Sequence, residues 1–123
     1  MMVDIERIPT RADAVIRVYK DRCVISSRAC HILGLSATAS RVRIRQDLDQ
    51  LQRGGRVRIY ISRSDTPVGY YVKRRGKIGQ INSVALSRKL AEMLEGYGTY
   101  RICEEVYNLE KGEICYEIFF RKY

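Results

Sequence analysis

The 123-residue sequence lacks the features on which several classes of protein depend. It has one histidine, and its cysteines (Cys23, Cys30, Cys103 and Cys115) include no C-x-x-C pair, so a zinc site with four closely spaced ligands is not expected. No apolar run approaches the roughly 18 residues of a membrane span, and the acidic start MMVDIERIPT has no apolar core of a signal peptide. These absences predict a soluble cytoplasmic, intracellular protein with reduced, structural thiols.

Signals for catalysis are also missing. The sequence has no glycine-rich phosphate loop and no nucleophile beside a recognisable base. Most acids stand next to basic neighbours, as they do on a solvated surface. We therefore expect a non-enzyme that uses no cofactor and no metal.

Positive charge is in excess and is unevenly distributed. The net charge is +9, and the stretch from Arg41 to Lys77 has eleven Arg and Lys against three acids. From residue 96 onward four bases stand against five acids, so we expect no second DNA surface in this tail. Charge concentrated in one stretch predicts a partner of opposite charge, although a basic surface that only contacts solvent would have the same composition.

Helix signals dominate the beginning of the chain. Thr10, with Asp13 three residues later, resembles a capping box and predicts a first helix to about Lys20. A brief extended piece at Cys23–Ile25 follows. Ser26 is then a candidate N-cap for a second helix over residues 27–33.

The next stretch allows two interpretations. Ile44, Leu48 and Leu51 have helical spacing, which predicts a third helix over residues 38–53 that the double glycine Gly54-Gly55 would end. The segment Arg41–Arg45 instead alternates arginine with aliphatic residues, which is the period of a strand. The helix covers more residues and accounts for the glycines, so it is the preferred interpretation.

A period of two follows the glycines. Residues 57–62 and 68–74 predict two strands, and the turn-forming stretch at residues 63–67 would join them in a hairpin. One face of this hairpin would be strongly basic.

Three helices followed by a hairpin resemble the winged helix–turn–helix family over residues 10–75. The residues that carry the resemblance are Ile25-Ser26-Ser27, Leu33-Gly34-Leu35-Ser36, the run Ile44-Arg45-Gln46-Asp47-Leu48 with Leu51, Gly55 and Val57, and Gly69-Tyr70. The distance from Ser36 to Ile44 is about one helical turn longer than in the commonest versions. The resemblance implies an α+β fold in which the third helix enters the major groove of DNA and the hairpin forms a basic wing.

A winged helix of this kind implies sequence-specific binding of double-stranded DNA by a transcriptional regulator, or by a replication or mobile-element accessory protein. Arginine pairs with guanine edges and glutamine with adenine edges, while further cations hold phosphates. The candidate DNA-binding residues are Arg41, Val42, Arg43, Arg45, Gln46, Gln50 and Arg53 on the recognition helix, and Arg56, Arg58, Tyr60 and Arg63 on the wing. A winged helix that docks a protein without binding DNA is the alternative.

Residues 76–123 predict an appendage to this winged-helix domain. An amphipathic helix over residues 83–95 precedes two apolar strands at about 99–107 and 113–121. The appendage would pack on its own chain or on a second copy, in a homodimer that matches a two-fold DNA site.

A rival architecture fits the same sequence. Val24-Ile25 and Gln80-Ile81 each come shortly before a helix, and Gly-Gly-Arg-Val-Arg-Ile and Lys-Gly-Glu-Ile-Cys-Tyr each start a strand. Duplication of a strand–helix–hairpin unit would give a barrel resembling the swapped-hairpin regulators. This scheme requires Arg41–Arg45 to be a strand, and it predicts a basic sheet face that binds nucleic acid.

Overall fold

A computed structural model describes residues 13–36, 40–47, 58–105, 107–108 and 114–123. Within these ranges the chain forms nine strands and two helices. In chain order they are β1 (Val15–Val18), β2 (Cys23–Ile25), α1 (Ser27–Leu33), β3 (Ser40–Asp47), β4 (Arg58–Ser64), β5 (Tyr70–Arg75), β6 (Ile78–Ile81), α2 (Val84–Met93), β7 (Gly98–Ile102), β8 (Tyr107–Asn108) and β9 (Ile114–Lys122).

Eight of the strands close into an antiparallel barrel. The order around the barrel is β4-β3-β5-β6-β2-β1-β7-β9, and pairing of β9 with β4 completes the ring. The short β8 pairs with β9 outside this ring order. Closure satisfies the backbone hydrogen-bonding groups that an open sheet would leave at its edges.

Alternation along the strands separates the barrel interior from its outside. Ile16, Ile25, Ile61 and Tyr100 are fully buried and belong to one continuous core. Both helices add to that core: α1 buries Cys30 among other residues, and α2 buries Leu86 and Leu90. Because successive side chains in a strand point to opposite faces, the residues next to these core positions point to the outer face, where some of them, such as Val15 and Tyr60, are also buried.

The two halves of the chain repeat one arrangement. Each half has a hairpin, a serine-capped helix and a pair of strands: β1–β2–α1–β3–β4 in the first, and β5–β6–α2–β7–β9 in the second. Between the halves, β2 pairs with β6 and β4 pairs with β9. The pairing of β3 with β5 corresponds to the pairing of β7 with β1. A pseudo-twofold axis therefore relates the strand pairings of the two halves.

The prediction of a three-helix winged helix–turn–helix fold is wrong. Residues 40–47 of the predicted recognition helix form strand β3, which pairs with β4 from Arg41 to Asp47. The alternating sequence suits a strand, in which Val42 enters the core and the arginines share the other face. A helix would have spread the arginines around its circumference. Leu48, Leu51 and the double glycine of the expected helix end lie outside the described residues.

The first predicted helix and the wing are wrong as well. Val15–Val18 is a strand, because three of its four residues are β-branched and favour extended backbone. Strands β4 and β5 form close to the predicted positions, but β4 pairs with β3 and β9, and β5 pairs with β3 and β6. The two strands of the expected wing are therefore separated by β3, and the resemblance to winged-helix proteins is overturned.

Several local predictions are confirmed. Helix α1 begins after Ser26, whose hydroxyl caps it, and α2 begins after Ser83. Strands β7 and β9 lie where the two C-terminal strands were expected and pair with each other. Extended backbone over Arg41–Arg45, which the rival architecture required, is also what the structure has.

Candidate functional site

Strand β3 places three arginines on the outside of the barrel. Val42 is fully buried, so Arg41 and Arg43 on either side of it lie on the opposite face of the strand, and Arg45 follows in the same alternation. Side chains on one face of a strand are spaced by about 6.6 Å. A row of three guanidinium groups therefore runs along β3.

Strand β5 continues this row of cations beyond the first residue of β3. Val72 is fully buried, which puts Tyr71 and Lys73 on the outside, with Arg75 next in the alternation. The register pairs Arg41 with Tyr71, and the guanidinium carbon of Arg41 lies 6.0 Å from the ring centre of Tyr71. We call the following six residues the basic face: Arg41, Arg43, Arg45, Tyr71, Lys73 and Arg75.

Gly69 brings the start of β5 close to β3. Its φ of +110° is one that L side chains rarely adopt, and a Cβ there would collide with the carbonyl oxygen of Val42. The carbonyl of Gly69 accepts a hydrogen bond of 3.3 Å from Nη1 of Arg41. The glycine thus helps to orient the first arginine of the basic face.

Cations outnumber acids on these two strands. Among the described residues of β3 and β5, the one acid is Asp47, which lies at the end of β3 and is paired in register with Arg58. Two like unit charges about 7 Å apart in water repel each other by about 0.6 kcal/mol. Five cations on two adjacent strands therefore create a positive potential that an extended anion would relieve.

Two clefts adjoin the basic face. One of about 540 Å³ is bordered by Arg41, Tyr71, Ser40 and Ser64 among other residues, and a neighbouring one of about 520 Å³ reaches Arg43. Hydroxyl groups beside guanidinium groups are suitable donors for phosphate oxygens. In this structure the hydroxyl of Ser40 is hydrogen-bonded to Ser36 and that of Ser64 to Thr66, and Asp65 also lines both clefts.

The structure keeps together part of the predicted contact set. Arg41, Arg43 and Arg45 share the outside of β3. Gln46 is exposed, but by alternation it lies on the opposite face of β3 from these arginines. Val42 is part of the barrel core. Gln50, Arg53 and Arg56 lie outside the described residues.

The remaining predicted contacts take part in the packing of the barrel. Tyr60 is buried on β4, and Nε of Arg58 lies 3.9 Å from a carboxylate oxygen of Glu117. Nη1 of Arg63 donates to the carbonyl of Gly34 at 3.2 Å, and its Nε lies 3.0 Å from a carboxylate oxygen of Asp65. These positions stabilise the fold at least as much as they contribute charge.

A second arginine helps Arg63 to hold the end of α1. Nη1 of Arg74 donates to the carbonyl of Leu35 at 3.2 Å, and Nη2 donates to the carbonyl of Lys77 at 3.3 Å. Cations near a helix C-terminus bind its free carbonyls and interact favourably with its dipole. Part of the sequence-level charge excess is therefore structural.

Three residues of the basic face were not among the predicted contacts. Tyr71 and Lys73 were assigned to the predicted strand over residues 68–74, and Arg75 follows its end, but only the other strand of the expected wing supplied candidate residues. The signal that could have identified them is the buried Val72 between Tyr71 and Lys73, a pattern of period two. Their position beside β3 depends on a pairing that the winged-helix interpretation does not contain.

All four cysteines are free thiols. Burial raises the pKa of the Cys23 thiol and of the Cys30 thiol. Neither of the described helices has the length and apolar character needed to cross a membrane. In the described ranges, His, Cys, Asp and Glu form no group that could hold a metal ion.

We expect the two buried thiols to make the protein less stable in alkali. Since folding raises their pKa, the thiols ionise first in the unfolded chain, and the stability that they contribute is lost as the pH rises above about 8.5. Urea unfolding at pH 7 and pH 9.5 should show a loss of up to about 1 kcal/mol per buried thiol. In the variant C23A/C30A this loss should be smaller; an equal loss in both proteins contradicts the assignment.

The chain matches no protein-family model, no curated protein and no solved structure. Its function is therefore inferred from the geometry and charge of the barrel.

Proposed function

We propose that the protein binds nucleic acid by its phosphate backbone through the basic face. The observation that carries the proposal is a line of five cations along the outside of β3 and β5, with Arg43 and Arg45 on one side of the Arg41–Tyr71 pair and Lys73 and Arg75 on the other. Phosphate contacts of this kind supply most of the affinity of non-specific nucleic-acid binding.

The shape of the site favours a polymer over a small anion. A small anion is best bound where several donors converge on one point, whereas alternate positions on one strand are separated by about 6.6 Å. Arginine is suited to this task because its planar guanidinium can donate two parallel hydrogen bonds to one phosphate. The repeated charges of a phosphodiester chain match a row of separate cations.

The proposal contains no reading of base sequence. The predicted recognition helix is a strand, so the contacts expected from Arg43 and Gln46 to base edges in the major groove are withdrawn. Tyr71 offers an aromatic ring of 50% exposure on which an unpaired base could stack. Duplex and single strand share the phosphate chemistry, and experiment distinguishes them.

A binding role without catalysis and an intracellular location belong to the same proposal. Both are consistent with free cysteines, of which Cys23, Cys30 and Cys115 are buried. Free thiols persist in reducing compartments.

Charge reversal on β5 tests the proposal. We expect K73E/R75E to weaken binding to a 25-base-pair duplex more than tenfold at 0.1 M salt, because each lost phosphate contact removes about tenfold in affinity at this ionic strength. The measurement is fluorescence anisotropy of a labelled duplex, repeated with a single strand of equal length, over a series of salt concentrations.

The matched control changes the same charge elsewhere. Arg88 and Lys89 are exposed on α2, so R88E/K89E alters the net charge as much as K73E/R75E does. We expect the control to bind within about threefold of the wild-type protein, since distant exposed charges are largely screened. Equal losses in the two variants, or absence of binding by the wild-type protein at 0.05 M salt, would reject the proposal.

A further inference from the structure

The opposite side of the barrel has a second set of outward cations. Arg17 lies between Ile16 and Val18 on β1, and both neighbours are buried. Arg101 lies on β7 between Tyr100 and Ile102, which are both fully buried. By the same alternation as in the basic face, Arg17 and Arg101 lie on the outside of the barrel.

The register of these cations repeats that of the basic face. In β3–β5 the partner of Arg41 is Tyr71, and Lys73 follows two residues later. In β1–β7 the partner of Arg101 is Val15, and Arg17 follows two residues later. In each strand pair, one strand therefore has an arginine (Arg41 or Arg101), and the neighbouring strand has a cation two residues after the arginine's partner (Lys73 or Arg17). The two diagonal pairs correspond, as the pseudo-twofold repeat requires.

Aromatic rings and further cations surround the second pair. A cleft of about 430 Å³ is lined by Arg101, Phe119 and Arg121 among other residues. A cleft of about 330 Å³ is lined by Arg17, Tyr19 and Tyr97 among others. We call these six residues the second face.

The aromatic residues of the second face are available to a ligand. Tyr19 is 41% exposed and Tyr97 39%, and the guanidinium carbon of Arg22 lies 5.1 Å from the ring centre of Tyr19. Between Tyr100 and Ile102 of β7 the register with β9 shifts, opposite the segment that contains Phe119. A bulge of this kind re-aims side chains, and here Phe119 is 37% exposed beside Arg101 and Arg121.

The ring order places the two faces opposite each other. From the β3–β5 pair to the β1–β7 pair, the barrel has two intervening strands in one direction (β6 and β2) and two in the other (β4 and β9), of which β9 supplies Phe119 and Arg121 to the second face. A single straight segment of nucleic acid cannot lie along both sides of a closed barrel.

We propose that one chain bridges two nucleic-acid segments, one on the basic face and one on the second face. The inference rests on the proposed function, because it uses the same phosphate chemistry at a second site. In this proposal the repeat brings two segments of nucleic acid together. On the second face, exposed aromatic rings lie next to the cations.

The test is a capture experiment with the full chain. A biotinylated 25-base-pair duplex is immobilised, the protein is added, and capture of a second, fluorescent duplex is measured in 0.1 M salt. We expect capture by the wild-type protein and by R88E/K89E, and a loss of at least tenfold for R17E/R101E. For R17E/R101E, the number of duplexes bound per chain should fall from two to one, and circular dichroism confirms that the variant is folded.

The outcomes separate the inference from the proposed function. If the wild-type protein binds one duplex and captures no second, the second face is not a site, while the proposed function stands. If it binds neither duplex nor single strand, both fail. Bridging by a homodimer would persist in R17E/R101E and would appear as a dimer in light scattering, so undiminished capture by this variant overturns the inference.

Discussion

Replacement of Tyr100 by alanine is expected to lower the free energy of unfolding by about 3–5 kcal/mol, the range for large aromatic residues in cores. Tyr100 is fully buried and is the largest of the fully buried side chains, and it belongs to the continuous barrel core. Its hydroxyl donates a hydrogen bond of 2.5 Å to the carbonyl of Gly96, just beyond α2. The ring therefore connects β7, the barrel interior and the end of the helix.

Tyr100→Phe separates the ring from the hydroxyl. It keeps the buried ring and removes one hydrogen bond, so we expect a loss of about 1 kcal/mol. Urea unfolding followed by circular dichroism measures both variants. A loss below about 1.5 kcal/mol for Tyr100→Ala, outside the range for such truncations, would show that this side chain is not part of a packed core.

Ser26→Ala is the second change with a large expected effect, about 2–4 kcal/mol. The hydroxyl of Ser26 accepts from the amides of Ala29 at 3.3 Å and Val15 at 3.0 Å, and it donates to the carbonyl of Asp13 at 2.8 Å. Removing it takes away the N-cap of α1 and leaves two backbone groups next to β1 without this partner. Ser26 itself is buried, so replacement of the lost bonds by water is hindered.

The pseudo-twofold repeat supplies a matched control for this change. Ser83 caps α2 in the same way, through one bond of 3.1 Å from the amide of Leu86. We expect Ser83→Ala to cost about 1 kcal/mol, the usual value of an N-cap. Thermal or urea unfolding of both variants measures the difference, and equal losses at the two positions would contradict the additional role of Ser26 in fixing β1.

Local signals in the sequence predicted those elements whose cause is local. Ser26 predicted α1 because an N-cap needs only the next three residues, and the amphipathic pattern of residues 83–95 predicted α2. Residues 40–47 were misassigned because Ile44, Leu48 and Leu51 fit a helical stripe, while the alternation at Arg41–Arg45 covers only five residues. These residues are stabilised as a strand by pairing with β4 along seven residues, and this partner lies outside the segment in which the periodicity was evaluated.

The barrel could not be predicted for the same reason. Its closure requires β4 to pair with β9 and β3 with β5, and contacts between such distant segments leave no periodic trace in either one. The sequence correctly predicted that the expected wing contains two strands. Their adjacency in sequence wrongly indicated a hairpin.

The charge excess between residues 41 and 77 contains the cations of the basic face, but the sequence does not distinguish them from cations with structural roles. Arg63 and Arg74 hold the end of α1, and Arg58 lies near Glu117, which the sequence does not reveal. The second face escaped notice because Arg17, Arg101 and Arg121 are scattered along the chain. The count of four bases and five acids after residue 96 excluded that tail as a surface, yet the barrel places its Arg101 and Arg121 beside Phe119.

The most direct measurement of the central claim is a titration of the ¹⁵N-labelled protein with a short duplex, followed by amide chemical shifts. The account predicts that the first shifts, at low salt, occur in β3 and β5 around Arg41, Tyr71 and Lys73, and that they disappear in high salt as phosphate contacts are screened. Shifts confined to α2 around Arg88, or no shifts at any salt concentration, would contradict the assignment of the basic face as a nucleic-acid site.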